Sequence, residues 1–203
     1  MRSVTIGLVD YGMGNHASVT HSLRELGFRV RISNDTNVLD STDVLIIPGV
    51  GAFPSAMREL SNRGLVSYLR DQAKAYRPVV GICLGMQLLT SASCENEYTL
   101  GLDLIPGQIV GFGAGEWHIG WNSIECIRPD PLIQDSIGQD FYFNHSFRFD
   151  GSEEFQLTRT RHITPFASII RRWNVIGLQF HPEKSQSAGK NLLRNLILGL
   201  VNA

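Results

Sequence analysis

The chain has 203 residues, 43% of them hydrophobic and 18% charged, with a formal net charge of −1. That is enough for one well-formed core and is an ordinary globular composition. The near-neutral balance, with no run of Lys or Arg, speaks against nucleic acid or an anionic membrane as the main partner.

Val4–Asp10, "VTIGLVD", is a short apolar run ended by the turn-like "DYGMGN", and it predicts a buried strand. It is too short for a secretory signal, and no run in the chain reaches the ~20 apolar residues of a membrane span. Val19, Leu23 and Leu26 then recur at helical spacing, with Gly27 as the stop. Asp43–Gly49, "DVLIIPG", predicts a second buried strand closed by Pro48. Helical patterns follow over Ala56–Leu60 and Leu65–Ala73. "PVVGIC" predicts a third buried strand and "LGMQLLTSA" the helix after it. This alternation predicts a parallel sheet with helices on both faces.

After Gly101 the texture changes to short strand-like runs: "WNSIECI", "DFYFNHSFRF" and "FASIIRRWNVIGLQF". Leu193, Leu196, Ile197, Leu200 and Val201 then mark a C-terminal amphipathic helix. The expected fold class is α/β: a mostly parallel central sheet flanked by helices, with additional antiparallel strands in the C-terminal half. With no repeat, low-complexity stretch or linker, residues 1–203 are expected to form one domain. The three cysteines, Cys83, Cys94 and Cys126, fit neither a disulfide framework nor a metal site, which points to a reducing, cytoplasmic setting.

Cys83 stands out. "GICLG", Gly81–Gly85, has the form of a nucleophile elbow at a predicted strand-to-helix turn. A turn that sharp needs small neighbours, and its tip is exposed at the C-terminal edge of the sheet. The N–H groups of the helix that follows favour negative charge at that tip. Cys94 and Cys126 lack such a setting and read as packed, inert thiols.

A thiol nucleophile needs a base, and the base an orienting group. Among the six histidines, His181 has a carboxylate two residues on, in "QFHPEKS". In extended backbone, residues i and i+2 point the same way, and Pro182 biases His181 to extended geometry. Glu183 can thus receive one imidazole N–H while the other nitrogen faces the thiol. "PGVGAF", Pro48–Phe53, ends another predicted strand, and its glycines free the backbone to present an N–H. Val50 and Leu84 are the candidate oxyanion donors. His16, His21 and His162 show no partner pattern and read as surface residues; His118 fits a structural or an interface role equally.

Six ordered motifs carry a resemblance: "VDYGMGN", "LIIPGVGAF", "GICLGMQLL", "HIGWN", "FYFNHSF" and "QFHPEKS". Together they resemble the class I glutamine amidotransferases and, within that class, the glutaminase subunits of imidazole glycerol phosphate synthases. The resemblance implies Cys83 as nucleophile, His181 as acid/base, Glu183 as orienter, and Val50 and Leu84 as oxyanion donors. It further implies that Gly51, Gln87 and the backbone of His145, Ser146 and Phe147 hold L-glutamine. Asn15, Trp121, Tyr142 and Lys184 match positions at a partner-facing edge. The implied partner is a (β/α)8-barrel cyclase subunit in a heterodimer, with ammonia passed to it for histidine biosynthesis, and no cofactor is implied. The chain departs from the family pattern at Trp117, at Phe147 and over Asn15–Val19. Two other readings are a paralogous glutaminase serving a sugar-modifying synthase and a catalytically silent regulatory subunit; the intact Cys83, His181 and Glu183 argue against the second.

Overall fold

The computed structural model describes residues 4–113 and 115–202. The first half alternates, with β2 and α2 added to the expected elements: β1 (Thr5–Val9), α1 (His16–Glu25), β2 (Arg29–Ser33), α2 (Thr36–Asp40), β3 (Val44–Ile47), α3 (Phe53–Asn62), α4 (Leu65–Lys74), β4 (Val79–Ile82) and α5 (Leu84–Leu88). The second half is mostly strand: β5 (Thr90–Ser93), β6 (Thr99–Leu100), β7 (Ile105–Gly111), β8 (His118–Ser123), β9 (Glu125–Cys126), β10 (Asp140–His145), β11 (Phe147–Asp150), β12 (Gln156–Thr160), β13 (Phe166–Arg172) and β14 (Val175–Leu178). Helix α6 (Gln186–Val201) closes the chain.

The main sheet has eight strands in the order β2-β1-β3-β4-β14-β13-β12-β9. Its pairings from β2 to β14 are parallel, and those from β14 to β9 are antiparallel. The expected α/β class with added antiparallel strands is what the chain adopts. A four-stranded sheet, β11-β7-β5-β6, and the β8/β10 pair make up the rest.

The apolar runs are buried on both faces, as parallel strands covered by helices must be. Ile6, Leu8, Val44, Ile46, Val80 and Ile82 pack on one face with α1 and α6. Val9, Leu45, Ile47 and Val79 pack on the other with α3, α4 and α5. Period-2 alternation thus assigns each strand residue to a helix layer.

Two expectations are corrected. The helix predicted over "LGMQLLTSA" stops at Leu88, and Thr90–Ser93 form β5 instead. The Thr90 hydroxyl donates to the Gln87 carbonyl (2.8 Å), and β5 then pairs with β7 and β6. Tertiary pairing overrides the local helical pattern there. Cys94 and Cys126 are exposed, not packed: Cys94 follows β5, and Cys126 sits on the edge strand β9. Among the described residues, no helix is long and apolar enough to cross a membrane.

Helix α5 lies unusually close to the sheet, and glycines permit it. A Cβ on Gly85 would stand 1.8 Å from the Ile47 carbonyl oxygen, and one on Gly81 would stand 2.5 Å from the Gly85 carbonyl oxygen. Backbone cannot yield as a flexible side chain can, so Gly85→Ala is expected to destabilise the fold by about 2 kcal/mol or more in urea unfolding. Gly111→Ala is the control: its nearest neighbour would be 3.9 Å away, and a change within about 0.5 kcal/mol is expected.

Candidate active site

The C-terminal ends of β1, β3, β4 and β14 lie side by side, and each is followed by one of the motifs singled out above. Loops at this edge of an open parallel sheet are where sites form. A cavity of about 250 Å³ opens there, below the ~300–1,000 Å³ usual for drug-sized ligands and suited to an amino acid. Val50, Gly51, Cys83, Leu84, Gln87, His145, Ser146, Phe147, His181 and Lys184 all line it. Glu95, Trp117 and Asn144 line it too.

Cys83 is the hinge between β4 and α5. Its backbone has φ 54° and ψ −110°, a conformation that costs a non-glycine residue of order 1–3 kcal/mol. Its N–H is held by the Leu178 carbonyl (2.7 Å), and its carbonyl accepts from Gln87 (3.2 Å). Its Sγ lies 3.9 Å from the Asn144 carbonyl oxygen. The Leu84 N–H, at the first position of α5, has no intrahelical acceptor. Because α5 spans only five residues, the field at the thiol comes from such terminal N–H groups rather than from a long helix dipole.

His181 is buried and lies near two acids: Cys83 shares its cavity, and its Nδ1 lies 2.9 Å from Glu183 Oε1. His181 itself is extended as expected, φ −100° and ψ 92°, but the residues after it are not. Pro182–Lys184 is a single turn of 3-10 helix, which folds the carboxylate back onto the ring. Hydrogen bonds to the main chain fix the turn: His181 N–H donates to Tyr142 O (2.8 Å), and the Ser185 hydroxyl donates to His181 O (2.7 Å). Burial opposes charge on His181, but its electrostatic interactions with Cys83 and Glu183 outweigh it and hold the imidazole above its ordinary range.

The loop after β3 is braced by the loop after β1. Tyr11 donates its hydroxyl to the Pro48 carbonyl (2.6 Å), and burial holds that phenol well above its ordinary pKa. Gly51 takes φ 105°, and a Cβ there would meet Met13 Cε at 2.8 Å. "DYGMGN" thus shapes "PGVG". Gln87 is buried, and its amide N–H reaches Phe147 O (3.3 Å) and Gln179 Oε1 (3.4 Å).

Outside the cavity, Asn15 caps α1, its Oδ1 accepting from Ser18 N–H (3.2 Å). Trp121 and Tyr142 are cross-strand neighbours on β8 and β10, with rings 6.1 Å apart, and the Lys184 ammonium lies 5.8 Å from the Tyr142 ring. Trp121 is half exposed.

Sequence reasoning missed Glu95. It stands in "SCENEY", with no local signal, on the segment that follows β5 and reaches the start of α3. Its Oε2 accepts from Phe53 N–H (2.9 Å), capping a helix whose own N-cap residue, Ala52, has no side-chain acceptor. Burial raises its carboxyl above the ordinary value, against the pull of that N–H. His162 is not the surface residue expected. Its ring packs 4.6 Å from that of His118 and 5.3 Å from that of Phe112. Among the other two surface expectations, His21 is exposed and His16 is partly covered.

A family profile for class I glutamine amidotransferases matches residues 7–200. The chain belongs to this family. It is 43% identical to the imidazole glycerol phosphate synthase subunit HisH of Moorella thermoacetica, over 94% of this chain and 92% of that one. It is 40% identical to the HisH subunit of Carboxydothermus hydrogenoformans, over 93% and 96%. The PurLQS structure from Thermotoga maritima shares the fold, with a TM-score of 0.79 at 18% identity over 98% of this chain and 100% of that one. The chain is therefore a glutamine amidotransferase, an enzyme family that takes the side-chain nitrogen of glutamine.

The shift on His181 has a sign. Its protonated form is favoured in the fold, so the stability it adds is complete below about 6.5 and is lost as pH rises through the raised folded value. By NMR the His181 ring is expected to titrate above 6.5, and Glu183→Gln should lower the midpoint. A wild-type midpoint at or below the free-imidazole value would contradict the pairing.

Proposed function

We propose that the chain is the glutaminase subunit of a cytoplasmic imidazole glycerol phosphate synthase. It acts as one catalytic unit in a heterodimer with a (β/α)8-barrel cyclase. The observation that carries the chemistry is one cavity lined by Cys83 and His181 together with Val50 and Leu84, with Glu183 hydrogen-bonded to His181 behind it. The choice of synthase is supported by the identity of 43% with a named HisH subunit.

Glutamine enters with its side-chain amide at Cys83. Gly51, Gln87 and the His145–Phe147 backbone hold it, and the Glu95 carboxylate offers a partner to the α-ammonium. The Cys83 sulfur attacks the amide carbon, and the carbonyl electron pair moves onto oxygen, held by the Val50 and Leu84 N–H groups. Collapse expels the amine, which takes a proton from His181 and leaves as ammonia. A γ-glutamyl thioester remains. His181, now neutral, takes a proton from water, and the hydroxyl attacks the thioester. The tetrahedral adduct collapses, the thiolate departs, and glutamate is released. Glu183 keeps the imidazole in the tautomer and orientation both steps need. Ammonia in open water becomes unreactive ammonium, so it passes to the partner across the edge bearing Asn15, Trp121, Tyr142 and Lys184.

Glutamate release from glutamine is the test. Cys83→Ala should abolish it while the fold persists by circular dichroism, and retained turnover would sink the assignment. Glu183→Gln should cost ~10²-fold or more, as the ring loses its orienter. Adding a histidine-pathway cyclase subunit with its nucleotide ligand should stimulate wild-type turnover. Turnover that ignores the cyclase would keep the glutaminase and reject this synthase.

A further inference from the structure

The mechanism does not use two buried imidazoles beside the cavity. His118 and His145 face each other across β8 and β10, in directly paired positions. His118 Nδ1 lies 3.2 Å from His145 Nε2, and His145 Nδ1 lies 2.7 Å from Phe147 O. On the far side, His118 Nε2 lies 3.4 Å from Asn122 Nδ2. Phe143, Phe166 and His162 pack around the His118 ring, and Phe112 and Phe166 around that of His145.

The direction of every proton in this chain follows from its two ends. A carbonyl oxygen can only accept, so His145 carries its proton on Nδ1. Its Nε2 is then an acceptor, and His118 Nδ1 must donate to it. That leaves His118 Nε2 as an acceptor. Asn122 supplies the donor, because the same Nδ2 donates to Arg161 O (2.8 Å) while Oδ1 accepts from Ser123 N–H (2.9 Å). If His145 were charged, its Nε2–H would force His118 to accept at Nδ1 and to point an N–H at the Asn122 amide hydrogens. The chain therefore accommodates both rings only as neutral, Nδ1–H imidazoles. Burial acts in the same sense, lowering His118 to about 4 and His145 to about 3.

What the relay ends on is the wall of the cavity. Asn144, His145, Ser146 and Phe147 line it. Phe147 O takes two donors, His145 Nδ1 and Gln87 Nε2, while Ser146 O takes Phe112 N–H (3.2 Å). We propose that Asn122, His118 and His145 form a one-directional hydrogen-bond relay that positions the 144–147 backbone for the ligand, with His118 as a positioning residue for glutamine recognition. The ligand's identity rests on the function proposed above; the relay does not.

Two measurements on the full chain separate these. Nitrogen-15 NMR at neutral pH is expected to find both rings as the Nδ1–H tautomer, the minority form of free imidazole. Either ring found as Nε2–H or charged would overturn the relay. Amide hydrogen exchange at Ser146 and Phe147 is expected to quicken about fivefold to tenfold in His118→Phe, the worth of one neutral hydrogen bond. His118→Asn, which keeps a donor near the Nδ1 position, should restore most of the protection. Calorimetry in a Cys83→Ala background should find glutamine affinity weakened in step by His118→Phe and recovered in His118→Asn. Equal effects of the two variants would reduce His118 to a packing residue and overturn the proposal. Failure of glutamine to bind any of these chains, with the tautomers and the exchange pattern as expected, would instead reject the glutaminase reading and leave the relay standing.

Discussion

The close approach of α5 to the sheet is the constraint from which the site follows. A Cβ on Gly49 would meet the Gly85 nitrogen at 2.7 Å, and one on Gly177 would meet Met86 Cγ at 2.5 Å. With Gly81 and Gly85 they leave the helix resting on backbone. A chain leaving β4 has one residue in which to turn onto that helix, and the residue is Cys83. Its positive φ is the local cost, of order 1–3 kcal/mol. It is offset by the apolar residues that α5 buries: Leu84, Met86 and Leu88 sit among those of β3, α3 and α4. The strained conformation is over-determined by the packing around it, so the thiol is held at the cavity wall without help from a ligand.

Within that frame two buried imidazoles are driven in opposite directions. His181 interacts with a thiol and a carboxylate, and their electrostatic pull overcomes burial. His145 faces a carbonyl and another imidazole, and burial prevails over its one hydrogen bond to backbone. In the proposed mechanism the first ring exchanges a proton, and the second keeps one in place. Separated proton affinities of this kind assign roles to chemically identical groups. Sequence position alone does not: both histidines follow strand-like apolar runs.

The parallel strands were legible because full burial demands unbroken apolar runs, as in Leu45–Ile47 and Val79–Ile82. Edge strand β2 was not, since Arg29 and Arg31 face solvent and leave no such run. The cysteine elbow and the His181–Glu183 pair were legible because their chemistry is local. The 3-10 turn that joins the pair was not, since an H-P-E stretch fits extended backbone equally well. Glu95 and the His118–His145 contact depend on strand pairings distant in sequence. His118 and His145 are 27 residues apart and meet only through the β8/β10 register. No window along the chain contains that information.

Strand β8 also joins the interior to the surface. His118 points inward, while Ile119 and Trp121 on the strand, and Trp117 just before it, are exposed at alternating positions. Three large apolar side chains in one stripe, with exposed Val50 and Trp117 also lining the cavity, form the kind of patch that marks a contact surface. In the proposed heterodimer, covering this stripe would remove apolar surface from water and shield the cavity mouth in one step. Shielding matters for the chemistry, because a neutral amine survives only where water cannot protonate it. The two faces of one strand would then serve one end: the inner face shapes the pocket that releases ammonia, and the outer face seats the protein that keeps it dry.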